Sequence, residues 1–106
     1  MWIVNGNDLK MAEGDFGVIL PIKITGMTFG ASDSAQLVIK KKLNGEDYIT
    51  KTFTNIQNNT INLEFTQAES ELLTVGTYYY RLDAYQDGNY LNNLIPYASL
   101  KVVDVA

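Results

Sequence analysis

Apolar and polar residues alternate in short runs along most of this sequence, a two-residue period that suits a strand with one buried face and does not suit an amphipathic helix. Phe16, Val18, Leu20, Ile22 and Ile24 fall on one side of such a run, and Ala35, Leu37 and Ile39 on one side of another. Ile61, Leu63 and Phe65 form a third set, and Tyr78, Tyr80, Leu82 and Ala84 a fourth. Turn residues break these runs roughly every ten positions, the spacing of an all-β sandwich or barrel. The expected strands cover 1–4, 8–12, 16–25, 34–43, 48–54, 61–65, 77–86, 90–96 and 97–105, seven to nine depending on how neighbours merge.

Local signals refine this outline. Pro21 cannot donate to a ladder, so its strand is expected at an edge, bulged, or switching sheets. Asn44-Gly45, with Glu46-Asp47, reads as a short hairpin loop, and Asp87-Gly88 as a second hairpin turn. In the strand after the first loop, Ile49, Lys51 and Phe53 share one face and Tyr48, Thr50 and Thr52 the other, so the pattern leaves the buried side open. Thr66-Gln67-Ala68-Glu69 has the spacing of a capping box and predicts one short helix over 67–73.

With 106 residues, 46% of them apolar and 19% charged, the chain is expected to fold as one domain over 1–106. The net charge is -4 and the one basic cluster, Lys40-Lys41-Lys42, adjoins a turn, so a phosphate-neutralising face is lacking and nucleic acid is not an expected partner. There is no cysteine and no histidine. That removes disulfides, Cys/His zinc sites, thiol nucleophiles, the usual serine triad and the ordinary proton shuttle of neutral pH. The first residues lack the basic start and long apolar run of a signal peptide. The longest apolar runs, such as 17–20, fall far short of the ~20 residues of a spanning helix, so no membrane insertion is expected.

Leu73, Gly76 and Tyr78 are spaced as in the tyrosine corner of immunoglobulin-like sandwiches, in which a tyrosine hydroxyl bonds back to upstream backbone. Gly76 and Tyr78 are accordingly read as architectural. In antibody domains a disulfide cysteine follows at the place of Tyr80; an aromatic here means that packing alone must hold the two sheets together.

The order of signals, from the charged hairpin through Leu63-Glu64-Phe65-Thr66, the helical turn, Gly76-Thr77-Tyr78-Tyr79-Tyr80-Arg81-Leu82 and Asp87-Gly88 to Leu100-Lys101-Val102-Val103-Asp104-Val105, resembles the immunoglobulin-like domains of tailed-phage and prophage tail or baseplate proteins. It is similar in particular to the N-terminal domain of the upper baseplate proteins of siphophages, which attaches a larger receptor-binding assembly to the tail. The likeness covers roughly residue 16 onward and rests on hydrophobic pattern with a few glycines and tyrosines. It implies a virion protein made in the bacterial cytoplasm that contacts other tail proteins and copies of itself. Those baseplate proteins continue into a helical linker and a further domain; this sequence ends at Ala106, which fits a compact accessory or adaptor subunit.

Each candidate site also has a plain structural role open to it. Most of the 12 carboxylates fall in turns or on solvent faces, Asp83 and Glu64 among them, so no catalytic dyad is expected and the chain is read as non-enzymatic. Asp87, Asn89 and Asn92-Asn93 offer oxygen ligands of the kind calcium prefers, but Asp-Gly-Asn is first a turn; no metal and no cofactor is assigned. If Tyr78 is buried, Tyr79 and Tyr85 point outward, with Tyr48 and Tyr90 on neighbouring strands. Such aromatics serve subunit contact, the preferred reading, or stack on sugars, the alternative of a glycan-binding or adhesion module. Trp2 either covers the core edge or forms an arm for a neighbouring copy. The expected contact residues are Trp2, Tyr79, Arg81 and Tyr85.

Overall fold

A computed structural model describes residues 2–104; Met1 and Val105, assigned to the first and last strands from sequence, lie outside the described residues. Eight strands and one helix follow one another as β1 (Ile3–Asn5), β2 (Asp8–Ala12), β3 (Leu20–Lys23), β4 (Asp33–Lys40), β5 (Asp47–Phe53), β6 (Thr60–Leu63), α1 (Gln67–Leu72), β7 (Gly76–Gln86) and β8 (Asn89–Val103). They form a six-stranded sheet in the order β1-β2-β8-β7-β4-β5 and a two-stranded sheet, β3-β6. Every pairing is antiparallel except β2 with β8. With β4, β7 and β8 in one layer and β3 with β6 in the other, this is an immunoglobulin-like sandwich, β5 extending the larger layer as in the variable type.

The alternation seen in the sequence becomes the core. Leu37 and Ile39 of β4, Tyr80 and Leu82 of β7, and Leu100 and Val102 of β8 meet Ile61 and Leu63 of β6, and Phe65 and Leu73 close the cluster. No disulfide is present among the described residues, so this packing and the hydrogen bonds around it hold the layers together. Thr66 caps α1: its hydroxyl accepts from the Glu69 amide at 3.2 Å, while the Glu69 carboxylate accepts from the Thr66 amide at 2.9 Å. The same carboxylate accepts from Lys51 Nζ at 2.6 Å, tying the helix to β5. Partial burial pushes the Glu69 carboxyl up, but the Lys51 bond and the Thr66 amide outweigh it and the net shift is downward.

The tyrosine corner forms as expected. The Tyr78 hydroxyl accepts from the Thr74 amide at 3.0 Å and donates to the Thr74 carbonyl at 3.1 Å. Gly76 has φ 154°, a conformation side-chain-bearing residues rarely adopt, and it lets the chain turn from the helix into β7. At the other end of β7, Asp87 and Gly88 both have positive φ, 49° and 80°, which makes a type I′ turn between the paired residues Gln86 and Asn89.

Four expectations need correction. The run over 16–25 does not make one strand: only Leu20–Lys23 pairs, while Phe16, Val18 and Ile19 are exposed and Ile24 is buried. The hairpin of β4 and β5 forms, but its loop covers 41–46 and not 44–47, because β4 ends at Lys40 and Asp47 already pairs with it. Tyr48 is not an outward aromatic: a bulge opposite Ile39 and Lys40 turns it inward, where it stacks on Tyr78 with centroids 6.0 Å apart and donates to the Leu72 carbonyl at 2.7 Å. Asp83 is on the outer face but is not solvated, being only 4% exposed. Pro21, by contrast, sits as its chemistry requires. Ile24 donates to the Asn59 carbonyl, so alternation directs Leu20 and Ile22 toward β6 and leaves Pro21 at the free edge, where no donor is needed.

Candidate functional site

Residues 79, 81, 83 and 85 of β7 alternate with its buried residues and therefore lie on the outer face of the large sheet, away from β3 and β6. Across the ladder they meet Lys40, Val38, Gln36 and Ser34 of β4. What β8 contributes depends on its bulges. From Asn89 to Val102 it uses 14 residues to span the 11 from Gly76 to Gln86, and the three extra residues match the three register shifts along this pair. Each extra residue resets the alternation, so Tyr90, Asn93 and Tyr97 all reach the outer face although strict alternation would separate Tyr90 from the other two.

The centre of the face is a charge network. Arg81 Nε donates to Asp83 Oδ2 at 2.8 Å, and Asn93 Nδ2 donates to Asp83 Oδ1 at 2.8 Å, so both carboxylate oxygens are engaged. The same Asn93 amide donates to the Ile95 carbonyl at 3.0 Å, where the bulged strand has lost regular pairing. Arg81 Nη1 also donates to the Tyr97 hydroxyl, and Lys40 Nζ lies 5.4 Å from the centre of the Tyr97 ring. The hydrogen bond it donates to Asp83 and then the contact with Tyr97 hold the Arg81 guanidinium above its ordinary range, against a partial desolvation that acts the other way. Val38 lies opposite Arg81 and, though outside the main core, is only 1% exposed. The long outer-face side chains around it cover it and are themselves held in place.

Beside this network the Tyr85 hydroxyl donates to Gln36 Oε1 at 3.3 Å, and Tyr90 packs edge-on against Tyr85 with centroids 5.9 Å apart. Tyr90 is 60% exposed, so the pair offers a fixed aromatic ledge to solvent.

Three of the four contact residues expected from sequence, Tyr79, Arg81 and Tyr85, thus share one face; Tyr79 is half-buried there, opposite Ser99 and Lys40. The fourth does not. Trp2 packs on Phe65 with centroids 5.9 Å apart and its Nε1 donates to the Val18 carbonyl at 2.9 Å, so it lies against its own chain at the sandwich edge. Sequence reasoning missed Tyr97, Asn93 and Lys40 as members of the face. Pro96 was the one available signal, since proline inside a strand marks a bulge.

Among the described residues, no group of three or more acidic side chains stands close enough to hold a metal ion. Asp87, a candidate calcium ligand, is the first central residue of the type I′ turn, and Asn89, another, closes it. No helix of the described chain is long and apolar enough to cross a membrane. What the face can do chemically is recognition: tyrosine hydroxyls, one guanidinium and primary amides set on a rigid sheet, with the central ones locked by bonds to each other. No family model, no curated protein and no solved structure matches this chain.

Proposed function

We propose that this chain is a non-enzymatic structural subunit of a phage or prophage tail or baseplate, working by docking the outer face of its large sheet onto neighbouring protein subunits. The observation that carries the docking half is the pre-ordered Tyr/Arg face: Arg81, fixed by Asp83, with Tyr97 on one side and the Tyr85–Tyr90 pair on the other. Tyrosine and arginine are the residue types that protein interfaces favour, and side chains already held in one conformation lose little freedom on association. The tail and baseplate half rests on the sequence resemblance. Repetition of the subunit around a tail would turn a modest contact into a lasting one.

The test uses a tagged copy expressed in the bacterial strain that encodes the chain, with particles induced and separated on a density gradient. The tagged chain is expected in the tail-containing fractions. Its exclusion from every particle fraction, with the soluble pool folded and intact, would overturn the tail assignment.

A second reading is favoured by one observation, the exposed Tyr90 ring held by Tyr85 beside the amide of Gln36. An aromatic ledge next to an amide suits a sugar ring, and the chain would then be a glycan-binding or adhesion module. Glycan-array binding that is lost in Tyr90→Ala supports that reading, and a blank array counts against it.

A further inference from the structure

The free strand edges of the sandwich are not alike. On β5, Lys51 points inward to Glu69 and guards the edge with a charge. Pro21 and Lys23 stand on β3, and β6 carries no exposed large apolar side chain. The stretch of β8 that reaches beyond β2 is broken by three bulges and Pro96. β1 carries no charge, proline or bulge and is guarded only by its shortness: its residues are Ile3, Val4 and Asn5, and the two apolar ones are 56% and 52% exposed.

The surroundings of β1 extend its apolar character. Val4, Leu9, Leu20, Pro21 and Ile22 line a groove of about 140 Å³ between β1 and β3. The Trp2 indole bonded to the Val18 carbonyl brings the exposed Val18 and Ile19 alongside. The edge itself has a defined phase. Asn5 and Asp8 close a two-residue turn and so form a hydrogen-bonded pair, the next pair, Val4 with Leu9, is not bonded, and the Val4 N–H and C=O therefore face away from β2.

We propose that β1 is a self-association edge, pairing antiparallel with β1 of a second copy about a twofold axis through Val4. The occupant follows from symmetry and charge. The Val4 N–H of each copy donates to the Val4 C=O of the other, the two groups this edge leaves outward. A twofold pairing brings no like charges together here, since β1 carries none, whereas β5 carries Asp47 and Lys51. The result is one continuous sheet across two copies, with the two Val4 side chains closing the mouths of the two grooves. A three-residue strand and a few half-exposed side chains fall below a standard interface, so the dimer is weak, with a Kd on the order of tens of micromolar. This contact uses the edge and not the outer face, and holds whether or not the chain belongs to a tail.

Sedimentation velocity on untagged protein from about 5 to about 500 µM tests it, with amide exchange at both ends of the range. The expected result is a monomer–dimer equilibrium in which the Val4 amide gains protection with concentration. Val4→Lys should weaken association at least tenfold and Val4→Pro, which removes the outward N–H, should do the same, while Thr52→Lys on the opposite edge changes it less than twofold. A monomer throughout, a dimer indifferent to both Val4 variants when these remain folded by circular dichroism, or a Val4 amide whose exchange ignores concentration overturns the proposal.

Discussion

Replacing Arg81 with methionine keeps a long apolar stem over Val38 but removes the guanidinium that pairs with Asp83. The carboxylate is only 4% exposed, and its remaining partner is the neutral amide of Asn93. Breaking a fully buried ion pair by removing one member costs about 3–5 kcal/mol. The Arg81 side chain is 30% exposed, so water can reach its place, and the expected cost is about 2–3 kcal/mol. For a domain of this size a urea m-value near 1.2 kcal/mol/M turns that into a midpoint lower by about 2 M. The second arm of the cycle separates charge from shape. Adding Asp83→Asn to Arg81→Met removes the orphaned charge, and the double variant is expected to be more stable than Arg81→Met by about 1 kcal/mol. Urea unfolding followed by Trp2 fluorescence and circular dichroism measures the parent, Arg81→Met, Asp83→Asn and the double variant. An Arg81→Met variant within about 0.5 kcal/mol of the parent, or a double variant whose losses simply add, would refute the reasoning that Asp83 is held by its partners.

Two further expectations concern the frame behind the face. Tyr78→Phe leaves both the Thr74 amide and its carbonyl without the hydroxyl they share, and should lower unfolding free energy by about 1–3 kcal/mol, read by urea titration. Burial, and then the nearby Asp8 carboxylate, push the Tyr80 hydroxyl up from 10.0 to about 12. A folded pKa above the unfolded one gives stability that is complete below pH 10 and lost as pH rises through about 12. Two units correspond to about 2.7 kcal/mol at full burial, and discounting for water at the groove by this ring leaves about 1–2 kcal/mol. The difference between parent and Tyr80→Phe stability, measured from pH 9 to 12, should therefore shrink at the alkaline end; a difference independent of pH would contradict the assignment.

Most of the frame was legible because it is written in local chemistry. The two-residue alternation located the strands, Thr66 and Glu69 the helix start, Asp87-Gly88 a hairpin, and Leu73, Gly76 and Tyr78 the corner. What the sequence hid depends on pairing. Phe16 and Val18 continue the alternation of Leu20 and Ile22, but β6 pairs only with 20–23, so they stay outside the strand. Tyr48 alternates with outward residues yet is turned inward by a bulge that its own segment does not announce. The outer face was legible as far as Tyr79, Arg81 and Tyr85, which belong to a regular strand. Tyr90, Asn93 and Tyr97 join them through three inserted residues in β8, which no alternation rule can place. Asp83 looked solvated because its parity was outward; its burial comes from Arg81 and Asn93 closing over it.

The outer face as the docking surface is tested most directly by incorporation of a face variant into particles. Tyr85→Ala combined with Tyr90→Ala removes the exposed ledge while leaving Arg81, Asp83 and Asn93 in place. The parent chain is expected in the tail fractions and the folded double variant in the soluble pool, with a thermal midpoint within about 5 °C of the parent. Equal incorporation of the two proteins would contradict the assignment of this face to docking.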